Sequence, residues 1–224
     1  MPLIILGGTF DPPHIGHLVL GECARVQFGA DRVVFLPAGD PWRKTGTVAS
    51  PGSPVPATEA RQVTPAAHRV AMTRLAVASN PHFTIDEREV RRAGPSFTVE
   101  TLQELHAEGH RELVLALGAD ALADLPNWKE PERIAELATL AVAPKPGSPV
   151  PAASAPAHVV VDMPPLAINS TMIRARVAAG LPIRYLVPGD VERYIREHRL
   201  YERTQRQGLR TQERHADVQA SPEG

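Results

Sequence analysis

Short apolar runs alternate along this chain with stretches of helical period, and that alternation limits the fold more than any other feature. Leu3–Leu6 reads as a strand, about Ile15–Phe28 as a helix, and Arg32–Leu36 as the next strand. A second round has a helix at Pro65–Ser79, a strand near His82–Asp86, a helix at Thr98–Glu108 and a strand at Glu112–Leu117. Thr139–Ala143 and His158–Val161 complete the apolar runs, and Ser170–Ala179 reads as a helix that opens at a polar cap. Strands apolar on both faces must be covered on both, and helices falling between consecutive strands supply the cover. The expected fold is therefore α/β: a parallel sheet with helices on both faces and a small helical part at the C-terminal end. At 224 residues, 43% of them hydrophobic, the chain suffices for one such domain, expected over residues 1–201.

Two segments interrupt the pattern. Residues 45–64 and 145–157 are dense in Pro, Ser, Gly and Ala, and both contain PGSPVPA, at 51–57 and 146–152. Such composition cannot bury enough apolar surface to offset chain entropy, so both are expected to be surface loops, the first near the entrance to the site. The polar stretch 202–224 has no periodicity and is expected to be a disordered tail. A formal net charge of −1 gives no basic field to hold a long nucleic acid, so any nucleotide bound should be small. Cys23, the one cysteine, lies in an apolar helical pattern and reads as an inert buried thiol, which suits a reducing compartment. The opening residues lack a basic leader pattern and no apolar run approaches the roughly eighteen residues of a membrane span. No membrane partner and a cytoplasmic location are expected; a homo-oligomer is compatible with the sequence.

The chemistry begins at residues 7–18, GGTFDPPHIGHL. A strand that ends in Gly7-Gly8 lets a ligand approach the backbone, and the helix that follows turns free N–H groups and its positive dipole end toward the same space. That arrangement suits a phosphate. Neither GxGxxG nor GxxxxGK[ST] is present, so the dinucleotide fingerprint and the P-loop are excluded. His14 and His17, three apart at a helix start, share a face from which both imidazoles reach one phosphate group. A metal pair would want a third nearby ligand; a solvent-exposed cap is the other alternative.

GGTFDPPHIGH is similar to the HxGH signature of the nucleotidyltransferase superfamily, although class I aminoacyl-tRNA synthetases share the tetrapeptide. AINSTMIRAR at 167–176 resembles the ISSTxIR signature of the adenylyltransferases in that superfamily, with Asn169 in place of the first serine. Four more stretches resemble one branch, the bacterial nicotinate mononucleotide adenylyltransferases: LPAGDPWRK at 36–44, RRAGPSFTVETLQEL at 91–105, LGADALADLPNW at 117–128 and YLVPGDVERYIREHRLY at 185–201. The likeness covers most of residues 3–201 and skips the Pro-rich inserts. Phe97 stands where that branch usually has Tyr, Trp42 where His is common, and Lys145 where an arginine precedes Pro-Gly; lysine cannot reproduce a bidentate guanidinium contact.

The resemblance implies a Rossmann-like doubly wound sheet and the transfer of an adenylyl group from ATP to nicotinate mononucleotide, with Mg2+ accompanying ATP and no protein metal ligand. It implies His14, His17, Lys44 and Arg174 as the groups that stabilise charge on the phosphates. ATP would meet Gly7, Gly8, Thr9, Phe10, Asp120, Ile168, Ser170 and Thr171 besides the histidines and Arg174. Nicotinate mononucleotide would meet Gly8, Thr9, Lys44, Ser96, Phe97, Thr98 and Trp128, with the indole stacked on the pyridine ring. Lys44 beside a flexible loop could instead be simply solvated, Asp120 a helix cap, Trp128 ordinary packing, and Thr98 a cap. Phosphopantetheine adenylyltransferase shares the first signature but leaves Trp128 and Gly94–Thr98 without a task. A nucleotide-binding regulator without turnover would have no need of two phosphate grips, the histidine pair and the helix start Ser170-Thr171 with Arg174 one turn in.

Overall fold

The computed structural model describes residues 1–45, 62–144 and 156–202. Its six strands, β1 (Leu3–Gly8), β2 (Arg32–Pro37), β3 (Phe83–Ile85), β4 (Leu113–Gly118), β5 (Thr139–Ala143) and β6 (His158–Val160), form one sheet in the order β3-β2-β1-β4-β5-β6. Every pairing is parallel; Leu3 stands opposite Arg32 on one side and Leu113 on the other. This is the expected doubly wound α/β arrangement. The winding reverses between β1 and β4, which opens a crevice beyond their carboxyl ends.

Alternation along β1 explains the two cores. Ile5 and Leu3 point to one face, with Val34, Leu115 and the buried residues of α5 (Thr98–Ala107) and α7 (Pro131–Leu137). Ile4 and Leu6 point to the other, with Val33, Phe35 and the Leu20 and Ala24 side chains of α1 (Ile15–Gln27). A third apolar cluster joins α3 (Ala66–Val77) to the C-terminal helices α8 (Ser170–Ala178) and α9 (Gly189–Glu197) through Met72, Ile173, Val191 and Ile195. Each such side chain contributes roughly 1.5–3 kcal/mol when fully buried.

The structure adds four short helices that the sequence pattern does not reveal: α2 (Trp42–Thr45), α4 (Arg88–Arg91), α6 (Ala119–Asp124) and α7. None exceeds two turns, too short for a 3.6-residue period to register. The polar cap of α8 is Asn169, whose Oδ1 accepts the Met172 N–H at 2.8 Å. Cys23 is partly buried against the α1 face of the sheet, and burial pushes its thiol pKa up. Residues 46–61, 145–155 and 203–224 lie outside the described residues, and with them most of both Pro-rich segments, Lys145 and the tail. Among the described residues no helix is long and apolar enough to cross a membrane.

Candidate active site

A cleft of about 1050 Å³ occupies the crevice at the carboxyl ends of β1 and β4. Of the residues expected at the site, Gly7, Gly8, Thr9, Phe10, His14, His17, Lys44, Ser96, Phe97, Thr98, Asp120, Trp128, Ile168, Ser170 and Thr171 all line it. Arg174 does not. Residues more than 160 positions apart in sequence thus share one cavity because β1, β4 and the start of α8 converge there.

Chain geometry after β1 sets the histidines. Phe10 adopts a positive φ of 49° and buries its ring beside Phe35, where its edge meets His17 with centroids 5.0 Å apart. His14 is the N-cap residue of α1, and its ring stacks on His17 at 3.6 Å and 25°. The His14 backbone N–H donates to His17 Nδ1 at 3.1 Å, which puts the proton of a neutral His17 ring on Nε2. Burial lowers the His14 pKa to about 4. Burial, then the neighbouring His14 and Lys44, hold His17 well below its ordinary value. Both rings are therefore neutral at pH 7. His14 Nδ1 is buried without a hydrogen-bond partner, the one such side-chain nitrogen or oxygen among the described residues. Gly16 makes room for that ring: a Cβ there would stand 3.1 Å from His14 Nδ1 and 3.7 Å from the Ile168 carbonyl oxygen.

Lys44, exposed on α2, donates to Thr9 Oγ1 at 2.8 Å, so it is held in the cleft beside the loop that follows β1. At the opposite end, Trp128 follows a 3-10 turn (Leu125–Asn127), and its Nε1–H donates to Asp124 Oδ2 at 3.1 Å, fixing the indole plane. Phe97 lies between Trp42, at 5.5 Å, and the Lys129 ammonium, 4.6 Å from the ring centroid.

The structure gives three of these residues a local setting. Phe97, not Thr98, is the N-cap residue of α5, and Thr98 is its first helical residue. Asp120 lies in the first turn of α6 with Gly118 as the cap residue. The Ser96 hydroxyl accepts the Gly39 N–H at 2.8 Å, so it ties its turn to the segment after β2.

The second signature grips the first. Ser170 Oγ donates to the Pro12 carbonyl at 2.9 Å, and Arg174 donates to the Asp11 carbonyl at 2.7 Å and to Thr171 Oγ1 at 3.0 Å. The guanidinium expected over the phosphates is thus bonded to the loop ahead of α1.

The profile of the cytidylyltransferase-like family matches residues 5–176. A protein of Roseiflexus sp. (strain RS-1), named probable nicotinate-nucleotide adenylyltransferase, is 45% identical over 89% of this chain and 98% of its own length. Its namesake from Thermomicrobium roseum is 46% identical over 88% and 90%. This chain belongs to the nicotinate-nucleotide adenylyltransferase family. The fold agrees: the nicotinic acid mononucleotide adenylyltransferase of Plasmodium falciparum, solved in complex with NaAD, superposes with a TM-score of 0.69 at 16% identity, over 89% of this chain and 97% of that one.

Several residues of this family member's site escape a reading of its sequence. Glu89 stands in the charge run EREVRR, which reads as a solvated face, yet it lines the cleft at 7% exposure; burial raises its pKa and Thr101 Oγ1 donates to it at 2.8 Å. Arg69 reads as one more helical arginine and is 1% exposed. Asp124 is four residues before Trp128, the one spacing that could have flagged it.

Proposed function

We propose that the chain transfers the adenylyl group of ATP to nicotinate mononucleotide, forming nicotinate adenine dinucleotide and pyrophosphate. One observation carries this reading: a single cleft joins a phosphate-suited end, with His14 and His17 at the start of α1 and Lys44 on α2, to an aromatic end with Phe97 at the start of α5 and Trp128 after the 3-10 turn.

A phosphate oxygen of the mononucleotide attacks the α-phosphorus of ATP, the bond from that phosphorus to the bridging oxygen breaks, and pyrophosphate departs. No protein nucleophile is needed, so the residues position and neutralise. His17 would offer Nε2–H to the α-phosphoryl oxygens, where charge grows in the transition state, with Lys44 adding a full positive charge beside it. Gly7, Gly8, Thr9 and Phe10 would bring backbone to the triphosphate, and Asp120, Ile168, Ser170 and Thr171 would border the adenosine. Arg174 would act through the Asp11–Pro12 loop it holds. The indole of Trp128 would stack on the pyridine ring, and the N–H groups that open α5 at Thr98 would face its carboxylate.

Magnesium would accompany the triphosphate and offset its charge. Among the described residues no group of three His, Cys, Asp or Glu side chains is placed to hold an ion by itself, so the triphosphate oxygens would contribute to holding it. The deciding experiment incubates the protein with ATP, Mg2+ and, in turn, nicotinate mononucleotide, nicotinamide mononucleotide and phosphopantetheine, reading pyrophosphate release. Fastest release with nicotinate mononucleotide is expected; release with phosphopantetheine alone, or with none, overturns the reading.

A further inference from the structure

Arg69 projects from α3 into the molecule and is 1% exposed, yet it does not line the cleft. Its Nη1 donates to the carbonyls of Thr9 at 2.9 Å and Ala38 at 2.6 Å, Nη2 to the carbonyl of Gly39 at 2.9 Å, and Nε to the carbonyl of Thr64 at 2.8 Å. A buried guanidinium is tolerated only when its donors are satisfied, and its planar fork reaches acceptors that an ammonium cannot hold together. Three of the four acceptors lie on the segments leaving β1 and β2, already joined where the Ala38 N–H donates to the Gly8 carbonyl at 2.9 Å; the fourth, Thr64, lies just ahead of α3.

Each segment carries one end of the site. Thr9 holds Lys44 through its hydroxyl, and Gly39 holds Ser96 through its N–H. Gly39 fits because it has no side chain; a Cβ there would collide with the Glu89 carbonyl. We propose that Arg69 is a positioning residue: by gripping the Thr9 and Gly39 peptides together it sets the place of Lys44 at the phosphate end and of the Ser96 turn at the pyridine end. The proposal rests on the adenylyl-transfer reading for its kinetic consequence alone.

A double-substitution cycle tests it, using the full chain as wild type, Arg69→Lys, Lys44→Ala and the pair, with kcat, KM for ATP and for nicotinate mononucleotide, and Tm measured on each. Misplacement by about an ångström costs on the order of a hundredfold, so Arg69→Lys should lower kcat by about 10- to 100-fold while KM for ATP changes less than about threefold. In the Lys44→Ala background the same substitution should cost kcat less than about threefold, because the charged group it positions has gone, while the displaced Ser96 turn still raises KM for nicotinate mononucleotide. Equal losses in both backgrounds, as a general weakening of the fold would give, overturn the proposal; so does an unchanged kcat. Should Arg69→Lys not fold, Arg69→Gln is carried through the same cycle, and equal losses in both backgrounds again overturn the idea. If the wild type transfers to no mononucleotide, the adenylyl-transfer reading fails by itself. The positioning claim is then decided by a crystal structure of Arg69→Lys, where an intact Lys44–Thr9 bond and an unmoved Ser96 turn would refute it.

Discussion

At the scale of single residues, the histidine pair is a device for holding neutral donors in a dry place. Burial keeps both rings uncharged, so each offers one N–H without the cost of an isolated buried charge. Two predictions follow from this state. His17→Ala should lower kcat by about a hundredfold or more while affinity for a non-hydrolysable ATP analogue changes only a few-fold, because the ring is proposed to act on charge that appears in the transition state. Loss of analogue binding in proportion to rate would instead make His17 a ground-state contact. The second concerns pH. The folded His14 pKa of about 4 lies below the unfolded value near 6.5, so between those values the unfolded chain binds more protons than the folded one. This group's stability is full above pH 6.5 and is lost as pH falls toward 4, by about 3 kcal/mol in all. His14→Gln should therefore flatten the decline of urea-unfolding stability between pH 7 and 4.5; parallel curves for variant and wild type would contradict the burial argument. The pair itself is legible from its three-residue spacing. Gly16's role is not, for only the folded chain brings Ile168 and the His14 ring against its Cα.

At the scale of elements, long apolar runs and helices of ten or more residues can be read directly, since each presents at least two turns or four alternations to a periodic pattern. The elements from α6 to α7 cannot: LGADALADLPNW holds six helical residues, a 3-10 turn and an indole anchored four residues back on Asp124. Boundaries matter most at α5. Thr98 occupies the first helical position, where an N–H has no partner within the helix, and Phe97 before it is extended at φ −103° and ψ 121°. Proline is tolerated at that first position and wants an extended residue ahead of it. Thr98→Pro should thus preserve α5 while deleting both the backbone N–H and the side-chain hydroxyl proposed to face the substrate's carboxylate. An unmade hydrogen bond in a buried site costs about 1–3 kcal/mol, so the preference for nicotinate over nicotinamide mononucleotide, as a ratio of kcat/KM values, should narrow roughly tenfold. Trp128→Ala, which removes a flat surface common to both rings, should weaken both substrates by similar factors. If instead Trp128→Ala collapses the ratio and Thr98→Pro leaves it unchanged, the start of α5 is not what distinguishes the two.

At the scale of the whole molecule, the location of the site follows from topology. Alternating strands and helices force a parallel sheet, and a parallel sheet wound in both directions opens at the reversal, here between Gly8 and Gly118. What topology leaves open is how the C-terminal helices are fastened to that opening, because the fastening depends on side chains with no periodic signature. Tyr201, at φ 66° just beyond α9, sends its hydroxyl to Asp11 Oδ1 at 2.8 Å, and Asp11 is 1% exposed in the loop ahead of the histidines. Burial, reinforced by the facing carboxylate, pushes the phenol pKa up, so the hydroxyl keeps its proton and remains a donor. The apolar cluster of α3, α8 and α9 closes around the same tyrosine. We infer that the sheet and the C-terminal helices unfold as one unit and that this bond is part of what couples them. Tyr201→Phe keeps the ring and its packing but leaves a buried carboxylate oxygen short of one donor, at about 1–3 kcal/mol. For a domain of this size each kcal/mol shifts Tm by roughly 2–4 °C, so a single calorimetric transition should move down by about 2–12 °C. Ending the chain at residue 207, beyond the bond, should leave Tm where it was. A second transition appearing in Tyr201→Phe would show that the C-terminal helices melt independently of the sheet, and an unshifted Tm would show that the Asp11 bond does not fasten them.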